Sequence, residues 1–145
     1  EHNPIEPAVG YRVDYRGRSV VISGDSNAVD SLFRAAEGAD LLLHDALSRS
    51  LIDPMIEAAE ANQIPVLPKI MRDVIDYHAD SLSLEGPAKA AGVRQLAYYH
   101  LVPVPPNPLA ERIWRRGLSP DTLLVKDLQT FELPANSDEI IIREP

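Results

Sequence analysis

Tyr11, Val13 and Tyr15 alternate with polar residues. Arg16-Gly17-Arg18 then turns the chain, and Ser19 to Ser23 follows as a β-branched run ending at Gly24-Asp25. Alternation marks a half-buried strand and a continuous apolar run a fully buried one, so the segment predicts a β-hairpin whose second strand is buried on both faces. Residues 26–38 predict a helix. Ser26 or Asn27 is its cap, Leu32, Phe33 and Ala36 its apolar face, and Gly38 its stop. Ala39 to Leu43 is the next short buried strand, delivering His44-Asp45 at its C-terminal end. Strand, helix and strand in that order predict a parallel pairing in this part of the sheet.

Further along, Pro54 to Asn62 predicts a helix with Met55, Ile56 and Ala59 facing inward. Val66 to Asp76 is amphipathic, with Ile70, Val74 and Tyr77 at helical spacing and Pro68 in the first turn, where its missing N–H costs nothing. Tyr77 to Asp80 is a short connection to a helix that runs from Leu82 or Ser83 to Ala91, with Gly92 behind it. Arg94 to His100 predicts a strand that again ends in a histidine. A helix over 109–116 and edge strands at 122–126, 129–133 and 139–143 complete the reading.

Composition places these elements in one domain, or in part of a larger one. The chain has 145 residues, 45% hydrophobic and 25% charged, as soluble globular proteins do. The prolines gather at 103–108, read as a fixed surface loop. Net charge is −8, which argues against a generic nucleic-acid binder, because non-specific phosphate binding needs a Lys/Arg excess. With no cysteine, disulfides, thiolate metal sites and cysteine nucleophiles are excluded. No apolar run approaches the roughly 20 residues of a membrane-spanning helix, and EHNPIEPAVG has neither the basic nor the apolar region of a signal peptide.

Chemistry concentrates in few residues. The histidines are His2, His44, His78 and His100, two of them at predicted strand ends, where open α/β sheets bind ligands. Asp25 follows Gly24 at a third strand end. Singly, each is also what a hydrogen-bonded structural histidine or a turn aspartate looks like. Their gathering at one sheet edge points instead to a metal or acid–base site, and both readings stand on spacing alone.

His2 followed by PAVGYRVDYRGRSVVISGDSN, then LLLHDA, DYHADS with the EGPAKAAGV helix, and AYYHLVP come in an order and spacing over the first hundred residues that resembles the second half of metallo-β-lactamase-fold hydrolases. The branch resembled holds ribonuclease Z and the arylsulfatase-like enzymes. The resemblance implies an α/β, αββα four-layer sandwich of which this chain supplies one ββα half, a mixed sheet with flanking helices. It implies zinc, with two ions in the complete domain. His2 matches the histidine completing the first zinc site, Asp25 the bridging carboxylate, and His100 the histidine on the second zinc. Imidazole nitrogen and carboxylate oxygen are suitable zinc ligands, and two zincs would acidify a shared water to give a metal-bound hydroxide. His78 matches a non-ligand histidine facing the substrate, and Asp45 the family's glutamate that orients it. A carboxylate on one imidazole nitrogen fixes the tautomer and suits the other nitrogen to general-acid work. His44 is assigned to structure.

Three departures follow. Ser26 stands where the family has Thr, and Asp45 where it has Glu, which shortens the reach to His78. The family's His-x-His-x-Asp-His motif does not occur in the sequence. The expectation is therefore a C-terminal half-domain whose inner sheet face needs the N-terminal half as partner, with a homo-oligomer as the other cover for that face. The activity implied is hydrolysis of small phosphate- or sulfate-type esters. Its rivals are a ribonuclease Z-like transfer-RNA 3′-processing endonuclease, not favoured by the acidic charge, and a non-catalytic binding or assembly domain.

Overall fold

The computed structural model describes residues 7–145. Strands β1 (Tyr11–Tyr15) and β2 (Arg18–Ile22) form the expected hairpin. Arg16 and Gly17 between them both take positive φ, 49° and 76°. Two left-handed residues make the tight turn whose twist matches that of the flanking strands. Helix α1 (Asp30–Ala35) leads to β3 (Leu41–Leu47), then α2 (Arg49–Ala61) and α3 (Leu67–Ile75). A 3₁₀ turn (Ser81–Ser83) and α4 (Glu85–Ala90) precede β4 (Gln95–Val102). Helix α5 (Pro108–Trp114) and the short strands β5 (Leu123–Leu124), β6 (Thr130–Glu132) and β7 (Ile141–Arg143) follow. The main sheet has the order β1-β2-β3-β4-β5, antiparallel between β1 and β2 and parallel elsewhere. A mixed sheet with flanking helices is thus present, as expected.

One side of the sheet carries the core. Val21, Leu42, Tyr98 and Leu124 pack with Leu32 and Phe33 of α1, Leu84 and Ala88 around α4, and Trp114 of α5 in a single buried cluster. The opposite side is different at β1. Tyr11, Val13 and Tyr15 stand opposite Ile22, Val20 and Arg18 and are 64%, 57% and 67% exposed. Among the described residues, no helix is long and apolar enough to cross a membrane.

Several boundaries differ from the sequence pattern for identifiable reasons. Helix α1 starts at Asp30 because Ser26 and Asn27 are used elsewhere: the Ser26 N–H reaches the Asp45 carboxylate, and the Asn27 amide donates to the Asp76 carbonyl at 2.8 Å. Helix α2 begins at Arg49, so Pro54 lies inside it. Its buried stripe is Ile52, Ile56 and Ala59, and Met55 is outward. In α3 the inward stripe is Pro68 and Met71, with Val74 and Ile75 partly covered, while Ile70 faces solvent. The helix after Asp80 breaks into the 3₁₀ turn and α4. Strands β6 and β7 pair with each other rather than with the main sheet.

An ionic clamp ties that C-terminal ribbon down. Arg18 and Asp40 are buried and paired, with Nη2 3.1 Å from Oδ1. Arg18 Nη1 donates to the carbonyls of Pro134, Ser137 and Glu139. Nη2 approaches Asp40 as an ion pair rather than an aligned hydrogen bond, so Nη1 carries the directional contacts. Burial works to raise the Asp40 carboxyl. The adjoining Arg18 guanidinium, with hydrogen bonds from the Ser19 N–H and Arg94, outweighs it and holds the group below the usual carboxylate range. A depressed carboxyl contributes stability that is present above its unfolded value, about 3.9 for Asp, and is lost as pH falls through the lower folded value. Asp40→Asn is therefore expected to cost about 3–5 kcal/mol at neutral pH, because it strands buried guanidinium charge. In urea unfolding at pH 7 and at pH 3, the gap between wild type and variant should narrow at the lower pH. A pH-independent gap would contradict the pairing.

Candidate metal centre

The site forms where β2 stops and its neighbours continue. Pairing of β2 with β3 ends at Ile22 and Leu43, whereas β3 and β4 remain paired as far as Leu47 and Val102. His44, Asp45 and His100 therefore lie inside strands rather than at their ends, a correction to the sequence expectation. The β3–β4 register shifts between Asp45 and Ala46: Asp45 faces Tyr99, Ala46 faces Leu101, and His100 is the extra residue, with φ at 45°. Such a bulge re-aims a side chain at the point where pairing is interrupted.

Asp25 reaches the same place by a tight turn. The Ser23 N–H adds one more bond to the Leu43 carbonyl, at 2.9 Å. Gly24 then takes φ of 66°, and a Cβ there would lie 2.4 Å from the Val9 carbonyl oxygen. Both the conformation and the contact require glycine. Gly24→Ala is expected to destabilise the protein by about 1–3 kcal/mol and to displace Asp25. Urea denaturation reads the effect, and a variant with normal stability would refute the turn's role.

His78 arrives from the third direction, on the connection after α3. The Leu47 N–H donates to the Ala79 carbonyl at 2.7 Å, and Asp80 bridges to Leu47, so this connection is stitched to the end of β3. His78 is only 7% exposed. Its ring is thus held among its neighbours. Its Nδ1 lies 2.7 Å from Asp45 Oδ2, so the shorter acid does reach it.

The arrangement is graded from solvent inward. Asp25 and His100 are nearly half exposed, and His100 Nδ1 lies 3.0 Å from Asp25 Oδ1. The His78 and His100 rings meet edge-on, centroids 5.2 Å apart. One ligand atom from each of Asp25, His78 and His100 lies within 4.8 Å of the others. Behind them Asp45 is fully buried and accepts from His78 and from the Ser26 N–H at 3.1 Å, with His44 Nδ1 3.0 Å from Oδ1. Its own N–H donates to Ser23 Oγ at 3.1 Å. Burial opposes the Asp45 charge, but the hydrogen bonds from His44, His78 and Ser26 win and hold it below the ordinary carboxylate range. Tyr99 lies alongside. Burial pushes its phenol up, hydrogen bonds involving Ser23 and Gly24 pull it down, and the Asp45 and Asp25 charges push it up again.

The sequence pattern assigns Ser23 to a strand and Ser26 to a helix cap or the family's Thr position, not to the support of Asp45, and leaves Tyr99 out of the site. Ser23 and Ser26 flank Gly24-Asp25, and two hydroxyl residues beside a glycine-aspartate turn were a usable signal. His2 lies outside the described residues.

A nitrogen and oxygen donor set of this spacing fits a divalent zinc-type ion. Sequence and structural comparisons find similar proteins. Ribonuclease Z of Mycobacterium tuberculosis (strain ATCC 25177 / H37Ra) is 34% identical over 115 residues, which cover 79% of this chain and 38% of that protein. Ribonuclease Z of Mycolicibacterium gilvum is 35% identical over 115 residues, 79% of this chain and 36% of that protein. The crystal structure of the metallo-β-lactamase fold protein YhfI from Bacillus subtilis superposes with a TM-score of 0.51 at 23% identity, over 79% of this chain and 39% of that one. No family model matches. The fold is that of one half of the metallo-β-lactamase sandwich, and the sequence similarity to ribonuclease Z supports the ribonuclease Z branch of that superfamily. The chain spans less than half the length of these relatives.

Proposed function

We propose that this chain is the C-terminal half of a zinc-dependent hydrolase domain acting on phosphate- or sulfate-type esters. The observation that carries the reading is the meeting of Asp25, His78 and His100 within 4.8 Å, with a buried carboxylate behind His78. Asp25 and His100 would hold zinc, joined by His2 and by ligands of the N-terminal half. Zinc there supplies a Lewis acid that polarises the ester and acidifies water.

The chain's own residues do the rest. Asp45, held as a carboxylate, can only accept, so His78 Nδ1 is the protonated nitrogen of that pair. His78 Nε2 is then the atom that passes a proton to the departing oxygen, and burial of the ring keeps bulk water from competing. The Asp45 hydrogen bond also steadies the ring orientation. The exposed row of Tyr11, Val13 and Tyr15 supports an inner sheet face that the other half of the sandwich covers.

Transfer-RNA 3′ processing is the second reading, favoured by the relatives named ribonuclease Z. The net charge of −8 weighs against it, unless the basic surface lies in the other half. The whole protein, loaded with zinc, is expected to hydrolyse an aryl phosphodiester, an aryl sulfate or precursor transfer RNA, and to lose that activity on chelation. Zinc-loaded protein inert on all three and on a lactone would overturn the hydrolase reading in favour of a binding or assembly domain.

A further inference from the structure

His44 is the one histidine in the described residues with no part in the mechanism above, and its setting is costly. It is fully buried against Phe33, ring centroids 6.2 Å apart and nearly parallel. Its Nδ1 lies 2.7 Å from the Asp45 carbonyl oxygen. A carbonyl only accepts, so Nδ1 carries the proton. The same nitrogen is 3.0 Å from Asp45 Oδ1. The other nitrogen, Nε2, has no hydrogen-bond partner among the described residues. An apolar residue of similar size would avoid that orphaned polar atom, and a buried group left unsatisfied calls for an explanation beyond packing.

The geometry supplies one. The Ser26 N–H and, at 3.5 Å, the Ser23 hydroxyl donate to Asp45 Oδ1, His44 Nδ1 lies 3.0 Å from the same oxygen, and His78 Nδ1 meets Oδ2. We propose that His44 is a positioning residue: its Nδ1–H fixes the backbone and one oxygen of Asp45, so that the other oxygen is reserved for His78. His44, Asp45 and His78 then form a relay running from the helix-covered core to the substrate side of the sheet. Rotation of the Asp45 carboxylate would release His78, and His44 is the side chain that resists it. The proposal rests on the hydrolase reading for its effect on turnover, but not for its effect on the Asp45–His78 hydrogen bond.

Three substitutions separate this from a packing role. His44→Asn places an amide N–H near the position of Nδ1. His44→Gln places it further out, and His44→Leu removes it. In the whole protein with zinc bound, Leu and Gln are expected to lower kcat by about 10–100-fold with little change in KM, and Asn to restore most of it. By NMR, the downfield His78 Nδ1 proton that marks a carboxylate hydrogen bond should persist in wild type and Asn and be lost or moved in Leu and Gln. If Leu does not fold, the Asn and Gln pair decides alone. The proposal is overturned if folded Leu or Gln keeps either the His78 signal or wild-type turnover, or if Asn is no better than Gln. A wild-type protein that hydrolyses nothing would sink the hydrolase reading, while the NMR comparison would still judge what His44 does to Asp45.

Discussion

His78→Ala is expected to lower turnover by about 10²–10⁴-fold, the range for a general acid, with zinc content unchanged. The expectation follows from how the ring is held. Its Nδ1 lies 2.7 Å from a fully buried carboxylate that also accepts the Ser26 N–H and lies beside His44, so the ring is fixed in place and tautomer. His78 also lies near Asp25 and His100, close enough for a ligand atom of each to fall within 4.8 Å of the others. A histidine so placed could serve either as ligand or as acid, and the carboxylate behind it suits both roles. The two roles part on metal content. An acid leaves zinc in place when removed, and a ligand takes zinc with it. Asp45→Asn extends the test: it keeps the side-chain size but loses the charge, and is expected to cost about 10–100-fold in turnover with zinc near normal. If His78 and Asp45 only support the fold, turnover per folded molecule stays constant and thermal stability falls instead.

The second large effect concerns Asp25 and His100. Asp25→Ala and His100→Ala are each expected to lower zinc content sharply and to abolish hydrolysis. Asp25 matches a carboxylate shared by two ions, so its loss should empty more of the site than loss of His100. Both side chains are nearly half exposed and neither belongs to the buried core, so folding stability should change little. Metal analysis by mass spectrometry beside a thermal melt separates the two effects. A variant that melts early and still holds its metal would assign these residues to the fold.

Much of this was legible from the amino-acid order, and the parts that were not share a cause. The hairpin, the parallel β2–β3 pairing and the burial of Leu32, Phe33 and Ala36 follow from local periodicity, which the tertiary structure preserves. Helix α2 was placed too late because Pro54 reads locally as a first-turn residue. In the fold, Ile52, Ile56 and Ala59 dock on the neighbouring helix, and their packing carries the helix through the proline. Met55 and Ile70 were assigned inward by spacing alone, but the inward direction is set by where the neighbouring helix lies. Asp25 and His100 stood out by type and strand-end position, while the roles of Asp45 and His78 came from the family resemblance, and the fold brings these four residues close together. The bulge that makes His100 the odd residue, and the stitching of the 77–80 connection to β3, depend on strands far apart in sequence. No window of residues contains that information. The support of Asp45 by Ser23, Ser26 and His44 was hidden for the same reason, since such side chains acquire a role only once the strands are side by side.

If Asp25 and His100 hold the metal while His78 stands beside it, anomalous diffraction at the zinc edge will show it on crystals of the whole protein loaded with zinc. Expected is a zinc peak bonded to the Asp25 carboxylate and to His100 at about 2.0–2.2 Å, with His78 Nδ1 still on Asp45 and its Nε2 outside the coordination shell. Zinc bonded to His78, or zinc bound away from Asp25 and His100 altogether, would contradict it.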